Sequence, residues 1–153
     1  MENIVVDLEK IRTDAEDYYK RGDFYCSEAI VKVIKDTLDL DISDEIISMA
    51  SGFPVGIGGA GCTCGAVSGG VMMIGLLFGR TNPKDSKVAK AMELSKELHQ
   101  VFKTKNKTLC CKALTRGMVM GEEVHMKQCV YFTGDIAYET TKIICRELEI
   151  ETI

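Results

Sequence analysis

Apolar residues recur every three or four positions along most of the chain, the spacing of helices with one buried face. Four residues at this spacing predict a first helix: Leu8, Ile11, Ala15 and Tyr18. Gly22 is expected to end that helix. Ser27 is expected to cap a second helix, whose inner face has four residues: Ile30, Val33, Ile34 and Leu38. Acidic residues after Ser43 predict a third, shorter helix through about Ser51.

Helical spacing resumes in the second half of the chain. Asn82 and Pro83 predict the start of a long helix that runs to about Lys103. Its inward residues are Val88, Ala91, Leu94, Leu98, Val101 and Phe102. A shorter helix is expected over 110–116 and a last one over about 128–149, with Ala137, Thr141, Ile144 and Leu148 inward. Strict alternation of apolar and polar residues is scarce, so little or no sheet is expected.

Two segments in the middle depart from this pattern. Residues 52–61 contain five glycines and a proline, which excludes a regular helix and predicts a loop. Residues 65–79 are almost all apolar or small, but a membrane span needs about 20 such residues, so we expect a buried helix. The fold predicted for residues 1–153 is a single all-α domain. It is a bundle of about five to seven helices in which the glycine-rich loop leads into a central buried helix.

Composition narrows the class of protein. Hydrophobic residues make up 46% and charged residues 27% of the 153, as in globular proteins. The formal net charge of −4 gives no basic surface for nucleic acid, and Lys103, Lys105 and Lys107 are expected in a solvated loop. Residues 1–7 lack the apolar region of a secretory signal. A cytoplasmic protein without a membrane span is therefore predicted.

Cysteine is the residue type that this composition does not explain. Seven are present: Cys26, Cys62, Cys64, Cys110, Cys111, Cys129 and Cys145. An odd number in a reducing compartment argues against a disulfide framework. No Cys-x-x-Cys pair is present, which disfavours zinc ribbons and thioredoxin-type sites. Three roles remain possible for these thiols: core filler, metal or cluster ligand, and redox nucleophile.

The cysteines differ in where they lie relative to the predicted helices. Cys26, Cys64, the pair 110–111 and Cys129 fall near predicted helix starts, where backbone N–H groups and the helix dipole favour a thiolate. We expect this effect to be strongest at Cys64, which follows the glycine-rich loop. Cys145 lies well inside the last predicted helix and is expected in the core.

Other candidate sites are weaker. The glycine-rich loop lacks the Gly-Lys-Ser/Thr ending of a phosphate-binding loop. His99 is expected at the surface of the long helix, and His125 in a connecting segment with little weight as a ligand. The eight methionines are interpreted as core filler rather than a copper site.

Four segments together carry a resemblance: Cys26-Ser27-Glu28-Ala29, Cys64-Gly65-Ala66-Val67-Ser68-Gly69, Cys111-Lys112-Ala113-Leu114 and Cys129. From about residue 24 to 148 the chain resembles the redox-active family named for its C-GCAxxG-C-C cysteine pattern. The resemblance implies a small helical redox protein whose four motif cysteines act together, with an iron–sulfur cluster as the leading cofactor. Carried over to this chain, the ligands are Cys26, Cys64, Cys111 and Cys129. Cys62, Cys110 and Cys145 are additional to the pattern.

The function expected first is that of a redox accessory protein that passes electrons to a partner oxidoreductase. A second hypothesis is a thiol–disulfide or sensor protein without metal, in which pairs such as Cys62/Cys64 or Cys64/Cys111 cycle. A structural metal-binding or interaction module is a third. The sequence leaves the oligomeric state open, with a homodimer as one candidate. If the first hypothesis is right, the four motif sulfurs should lie in one pocket, with Cys145 elsewhere.

Overall fold

The computed structural model describes residues 4–153. Residues 1–7 were predicted not to form a secretory signal, and the first three of them lie outside the described residues. Eight helices occur in the described chain: α1 Leu8–Lys20, α2 Cys26–Thr37, α3 Glu45–Met49, α4 Pro54–Ile57, α5 Gly65–Phe78, α6 Val88–Asn106, α7 Cys111–Leu114 and α8 Glu123–Glu147. A short 3-10 turn spans Ala50–Gly52, and two-residue strands β1 (Val5–Val6) and β2 (Glu151–Thr152) pair in parallel. The all-α prediction is confirmed. Five to seven helices were expected, and the eighth is α4, which lies inside the glycine-rich segment.

Helix α5 is the central element, as predicted. It packs against α2, α6 and α8, and its Met73 and Ile74 are fully buried. Glycines on α5 bring α2 unusually close, because a Cβ on Gly69 would lie 2.8 Å from Cα of Ser27. The start of α2, which carries Cys26, is thereby held against the start of α5. No helix within residues 4–153 has both the length and the apolar character needed to cross a membrane.

The predicted inner faces are largely correct. All four residues expected inside on α2 are buried. On α1, however, the buried tyrosine is Tyr19, while Tyr18 is partly exposed and packs edge-on against Phe24 at 5.3 Å. The expected cap of α2 is also wrong, because the Ser27 hydroxyl donates to the buried carbonyl of Ala50 at 2.8 Å.

Three helix boundaries differ from the predictions. Helix α6 begins at Val88, because Asn82 and Pro83 lie in a turn that precedes it. It extends past Lys105, whose ammonium binds the buried carboxylate of Asp135 at 3.1 Å rather than standing in a solvated loop. Helix α7 covers only four residues. Helix α8 begins at Glu123 instead of near residue 128, which changes the setting of both Cys129 and His125.

Candidate cysteine site

Cys26 and Cys64 lie at the starts of two packed helices. Cys26 is the first residue of α2, and Cys64 is the N-cap of α5. A Cβ on Gly65 would lie 2.8 Å from Sγ of Cys26 and 2.9 Å from the carbonyl oxygen of Phe53. The glycine after Cys64 therefore leaves the space that the Cys26 sulfur occupies.

Backbone hydrogen bonds hold Cys111 beside the same end of α5. The segments around Thr63 and Cys110 form an antiparallel bridge. In it, the N–H of Cys64 donates to the carbonyl of Leu109 at 2.8 Å, and the N–H of Cys111 donates to the carbonyl of Cys62 at 2.6 Å. This bridge joins two segments that are far apart in sequence, so periodicity gives no signal for it.

The glycine-rich segment wraps around this bridge in a left-handed turn. Five successive residues have positive φ: Val55 (57°), Gly56 (63°), Ile57 (61°), Gly58 (61°) and Gly59 (86°). Left-handed backbone costs a residue with a side chain about 1–2 kcal/mol, so the β-branched Val55 and Ile57 are strained here. The turn is held by local bonds, including Cys62 N–H to the Gly56 carbonyl at 3.1 Å. The sequence predicted a loop without helix here; the segment instead includes the four-residue α4, although Val55 and Gly56 lie outside helical φ/ψ values.

Close packing fixes the turn against Cys111. A Cβ on Gly56 would lie 2.5 Å from the amide nitrogen of Cys62 and 2.8 Å from Cβ of Cys111. Because one of these neighbours is backbone, no rotamer change could relieve the contact. Gly56 thus has both a positive φ and no room for a side chain.

Cys129 lies in the second turn of α8, not at its start as the sequence predicted. Two polar side chains lie near its sulfur. Nε2 of His125 lies 3.5 Å from it, and the Tyr19 hydroxyl of α1 lowers the pKa of Cys129. Nδ1 of His125 accepts from the N–H of Gly121 at 3.1 Å, and the residue is only 5% exposed. The sequence prediction placed His125 in a connecting segment, whereas the residue lies in the first turn of α8, four positions before Cys129.

Electrostatic interactions connect the four motif cysteines. Burial raises the pKa of Cys26, and negative charge on Cys64 or Cys129 raises that pKa further. Burial raises the pKa of Cys64 to about 11, with Cys129 and Cys111 also raising it. Burial and then a charge on Cys111 raise the pKa of Cys129. Three of the four pKa values are therefore raised by the charge of another motif cysteine, and Cys111 is one of the cysteines whose charge raises them.

The expected stabilisation of thiolates at helix starts is wrong for these free thiols. The backbone amides of Ala66 and Val67 do lower the pKa of Cys64, but loss of solvation outweighs them. Burial is also the largest influence on the pKa of Cys111, which is raised. Without a bound cation, Cys64 is a protonated thiol at neutral pH.

The described side chains form no ready-made coordination sphere. Within residues 4–153, no three His, Cys, Asp or Glu side chains are arranged to hold a metal ion. The four motif cysteines are neighbours at one end of α5, and their assignment as cofactor ligands stays a prediction.

The three additional cysteines have different surroundings. Cys62 and Cys110 are exposed, and the Cys110 thiol lies 3.8 Å from the carbonyl oxygen of Gly61. Cys145 is 1% exposed and belongs to the hydrophobic core, which confirms its predicted place. Burial alone raises its pKa to about 11.

A cleft of about 480 Å³ adjoins the Cys129 end of the site. Its walls include Tyr19 and His125, the two residues that lie near the Cys129 sulfur. Exposed apolar side chains, Tyr25 and Met120, also line it. Solvent in this cleft therefore contacts Tyr19 and His125 on the side away from Cys129.

Comparison with known proteins identifies a family. A family model described as "Putative redox-active protein (C_GCAxxG_C_C)" matches residues 24–148. Neither the curated proteins nor the solved structures include a match to the chain. The family's pattern has Gly-Cys before Ala-x-x-Gly, whereas this chain has Cys64-Gly65 in that place. Since the match covers most of the chain, the protein belongs to this redox-active C_GCAxxG_C_C family.

Proposed function

We propose that this protein is an electron carrier that binds an iron–sulfur cluster through Cys26, Cys64, Cys111 and Cys129. A partner oxidoreductase would exchange single electrons with it. The observation that supports the proposal is the proximity of these cysteines to the start of α5, where Cys26 lies against Gly65 and the backbone of Cys111 is bonded beside Cys64. Two other cysteines of the chain, Cys62 and Cys110, lie beside this group but face solvent.

The donor set fits such a cofactor. Four cysteine thiolates are the usual ligands of two-iron and four-iron clusters, which supply one-electron chemistry when bound. The amides of Ala66 and Val67 lower the pKa of Cys64, Tyr19 lowers that of Cys129, and Nε2 of His125 lies 3.5 Å from the Cys129 sulfur. Hydrogen bonds of this kind orient ligating sulfurs and adjust their electron density.

Raised pKa values also fit a cation-binding site. Thiols that repel one another's charge lose their protons when a cation binds, and binding then releases protons. Because no three His, Cys, Asp or Glu side chains of residues 4–153 are already arranged to hold a metal ion, cluster binding would require the four sulfurs to converge.

A thiol–disulfide function is the second candidate. Its support is the position of the exposed Cys62, whose carbonyl accepts the N–H of Cys111 across the antiparallel bridge. Against it stands the chemistry of exchange, in which a thiolate attacks. With pKa raised by burial, Cys64 and Cys111 hold little thiolate at neutral pH.

Anaerobic preparation with iron and sulfide tests the proposal. The protein should be brown, with visible absorption that is lost on exposure to oxygen or a chelator. Cys64→Ser should remove most of the iron, because it removes a ligand that two amides support. Cys62→Ser is the matched control, two residues away and exposed, and should keep its iron.

One result would decide against the cluster and another against the four assigned ligands. Protein that stays colourless after reconstitution, with four freely titratable motif thiols, would favour the thiol–disulfide function. Equal iron loss in Cys64→Ser and Cys62→Ser would show that the motif cysteines have no special role.

A further inference from the structure

His125 is a buried histidine whose two ring nitrogens both have partners. Nδ1 lies 3.1 Å from the backbone nitrogen of Gly121, and Nε2 lies 3.5 Å from Sγ of Cys129. The second distance suits a hydrogen bond to sulfur, whose larger radius lengthens such contacts. The two residues are four apart on α8, so the helix itself aligns them.

The backbone contact determines which nitrogen carries the proton. An amide N–H can only donate, so Nδ1 of His125 must accept and is unprotonated. The neutral ring then has its hydrogen on Nε2, the nitrogen that faces Cys129. It follows that the histidine donates and the sulfur accepts.

A second polar group influences the same sulfur from another helix. The Tyr19 hydroxyl on α1 lowers the pKa of Cys129, and the ring is largely buried. A sulfur beside two such groups is stabilised when it carries negative charge.

We propose that His125 is a positioning residue, which donates its Nε2–H to Sγ of Cys129 and, with Tyr19, favours the electron-rich form of that sulfur. The effect on redox behaviour rests on the cluster proposed above. The hydrogen bond itself does not, because its geometry follows from the spacing of His125 and Cys129 on α8 and from the Gly121 contact. With a cluster bound, this bond would stabilise the reduced, more negative state.

Nitrogen NMR of the metal-free protein tests the hydrogen bond directly. Long-range proton–nitrogen correlations distinguish the two neutral tautomers of a histidine. We expect the Nε2–H tautomer at His125 and a shift of its Nε2 resonance in Cys129→Ala, with His99 unchanged. The Nδ1–H tautomer at His125, or an Nε2 resonance that does not shift in Cys129→Ala, would overturn the proposal whether or not a cluster binds.

Reduction potentials test the consequence in the loaded protein. His125→Phe should change the ratio of reduced to oxidised protein about tenfold in favour of the oxidised form, which is 59 mV for a one-electron couple. His125→Gln keeps an N–H donor and should recover most of this loss. Tyr19→Phe, which removes only a hydroxyl, should shift the potential in the same direction.

Failure of the two proposals would look different. A cluster that forms with unchanged potential in both His125→Phe and Tyr19→Phe would overturn the role of His125 while leaving the cluster intact. Wild-type protein that binds no iron, but shows the expected tautomer and Cys129 dependence, would refute the cluster and uphold the hydrogen bond.

Discussion

Helix α8 carries two cysteines in contrasting environments. Cys145, near its C-terminal end, is surrounded by core side chains, and burial is the sole cause of its raised pKa. Cys129, near its N-terminal end, is also raised in pKa by burial, but Tyr19, His125 and Cys111 act on its sulfur. Burial is common to both thiols, so burial alone does not make a site.

What distinguishes the two ends is the number of elements that meet there. Around Cys145 the contacts are those of an apolar helix face. Around Cys129, side chains come from α1, from α8 itself and from the segment that carries α7. A thiol that interacts with other thiols and with hydrogen-bond donors can serve as a ligand, whereas an isolated buried thiol serves as a small hydrophobic residue.

Alanine substitution at the two positions should give the largest contrast. Cys129→Ala is expected to remove most of the iron from reconstituted protein, because one of four ligands is lost. Cys145→Ala should retain full iron content and lower the free energy of unfolding by about 1 kcal/mol, as for a small buried deletion. Iron analysis and chemical denaturation measure both. Comparable iron loss in the two variants would remove the distinction between the sites.

Glycine substitutions should distinguish the effect of a steric clash at the site from the cost of a left-handed backbone conformation. Gly56→Ala places a Cβ against Cys62 and Cys111, so cofactor content should fall strongly in a folded protein. Gly59→Ala meets no atom within 4 Å and is expected to cost only the left-handed conformation, about 1 kcal/mol.

Gly61 and Gly59 also test the role of the loop when replaced by valine. A side chain at Gly61 would contact the flexible side chain of Lys112, which can move. We expect Gly61→Val to reduce cofactor content less than Gly56→Ala does. Its effect on cofactor retention should be larger than its effect on global stability, measured by melting temperature. Unchanged cofactor content in all of these variants would show that the segment is only a connector.

A smaller effect is expected in the pH dependence of stability. The pKa of Cys64 rises from 9.0 to about 11 in the folded protein, so the unfolded chain loses its proton first as the pH rises. The unfolded state then binds fewer protons, and the free energy of unfolding falls between pH 9 and 11 by up to about 1.4 kcal/mol per pH unit for each such thiol.

Cluster binding should abolish part of this dependence, since ligating thiolates bind no protons. The contribution of Cys145 should persist, because that thiol stays free. Denaturation of loaded and metal-free protein across this range measures the difference. Identical curves would mean that no motif thiol is deprotonated in the loaded protein.

Periodicity predicted the parts of the molecule in which packing dominates. The central α5, the inner face of α2 and the core position of Cys145 all follow from apolar spacing, because burial of such residues decides their place. The start of α8 did not follow from it. Its first turns are exposed on one side and polar, so the pattern weakened just where His125 and Cys129 lie.

The site itself depends on information that local patterns lack. The left-handed turn from Val55 to Gly59 places β-branched residues in a conformation that they ordinarily avoid, which no propensity would favour. The direction of the thiol pKa shifts was also mispredicted. Helix-start amides were visible in the sequence, but the extent of burial at Cys64 was not.

Alkylation of all seven cysteines, resolved by peptide mass spectrometry in metal-free and anaerobically reconstituted protein, tests the central claim most directly. Reconstitution should protect Cys26, Cys64, Cys111 and Cys129 together, while Cys62 and Cys110 keep their reactivity and Cys145 reacts slowly in both states. Protection that includes Cys62 but spares Cys26 or Cys129, or no change in any of the four, would contradict the account.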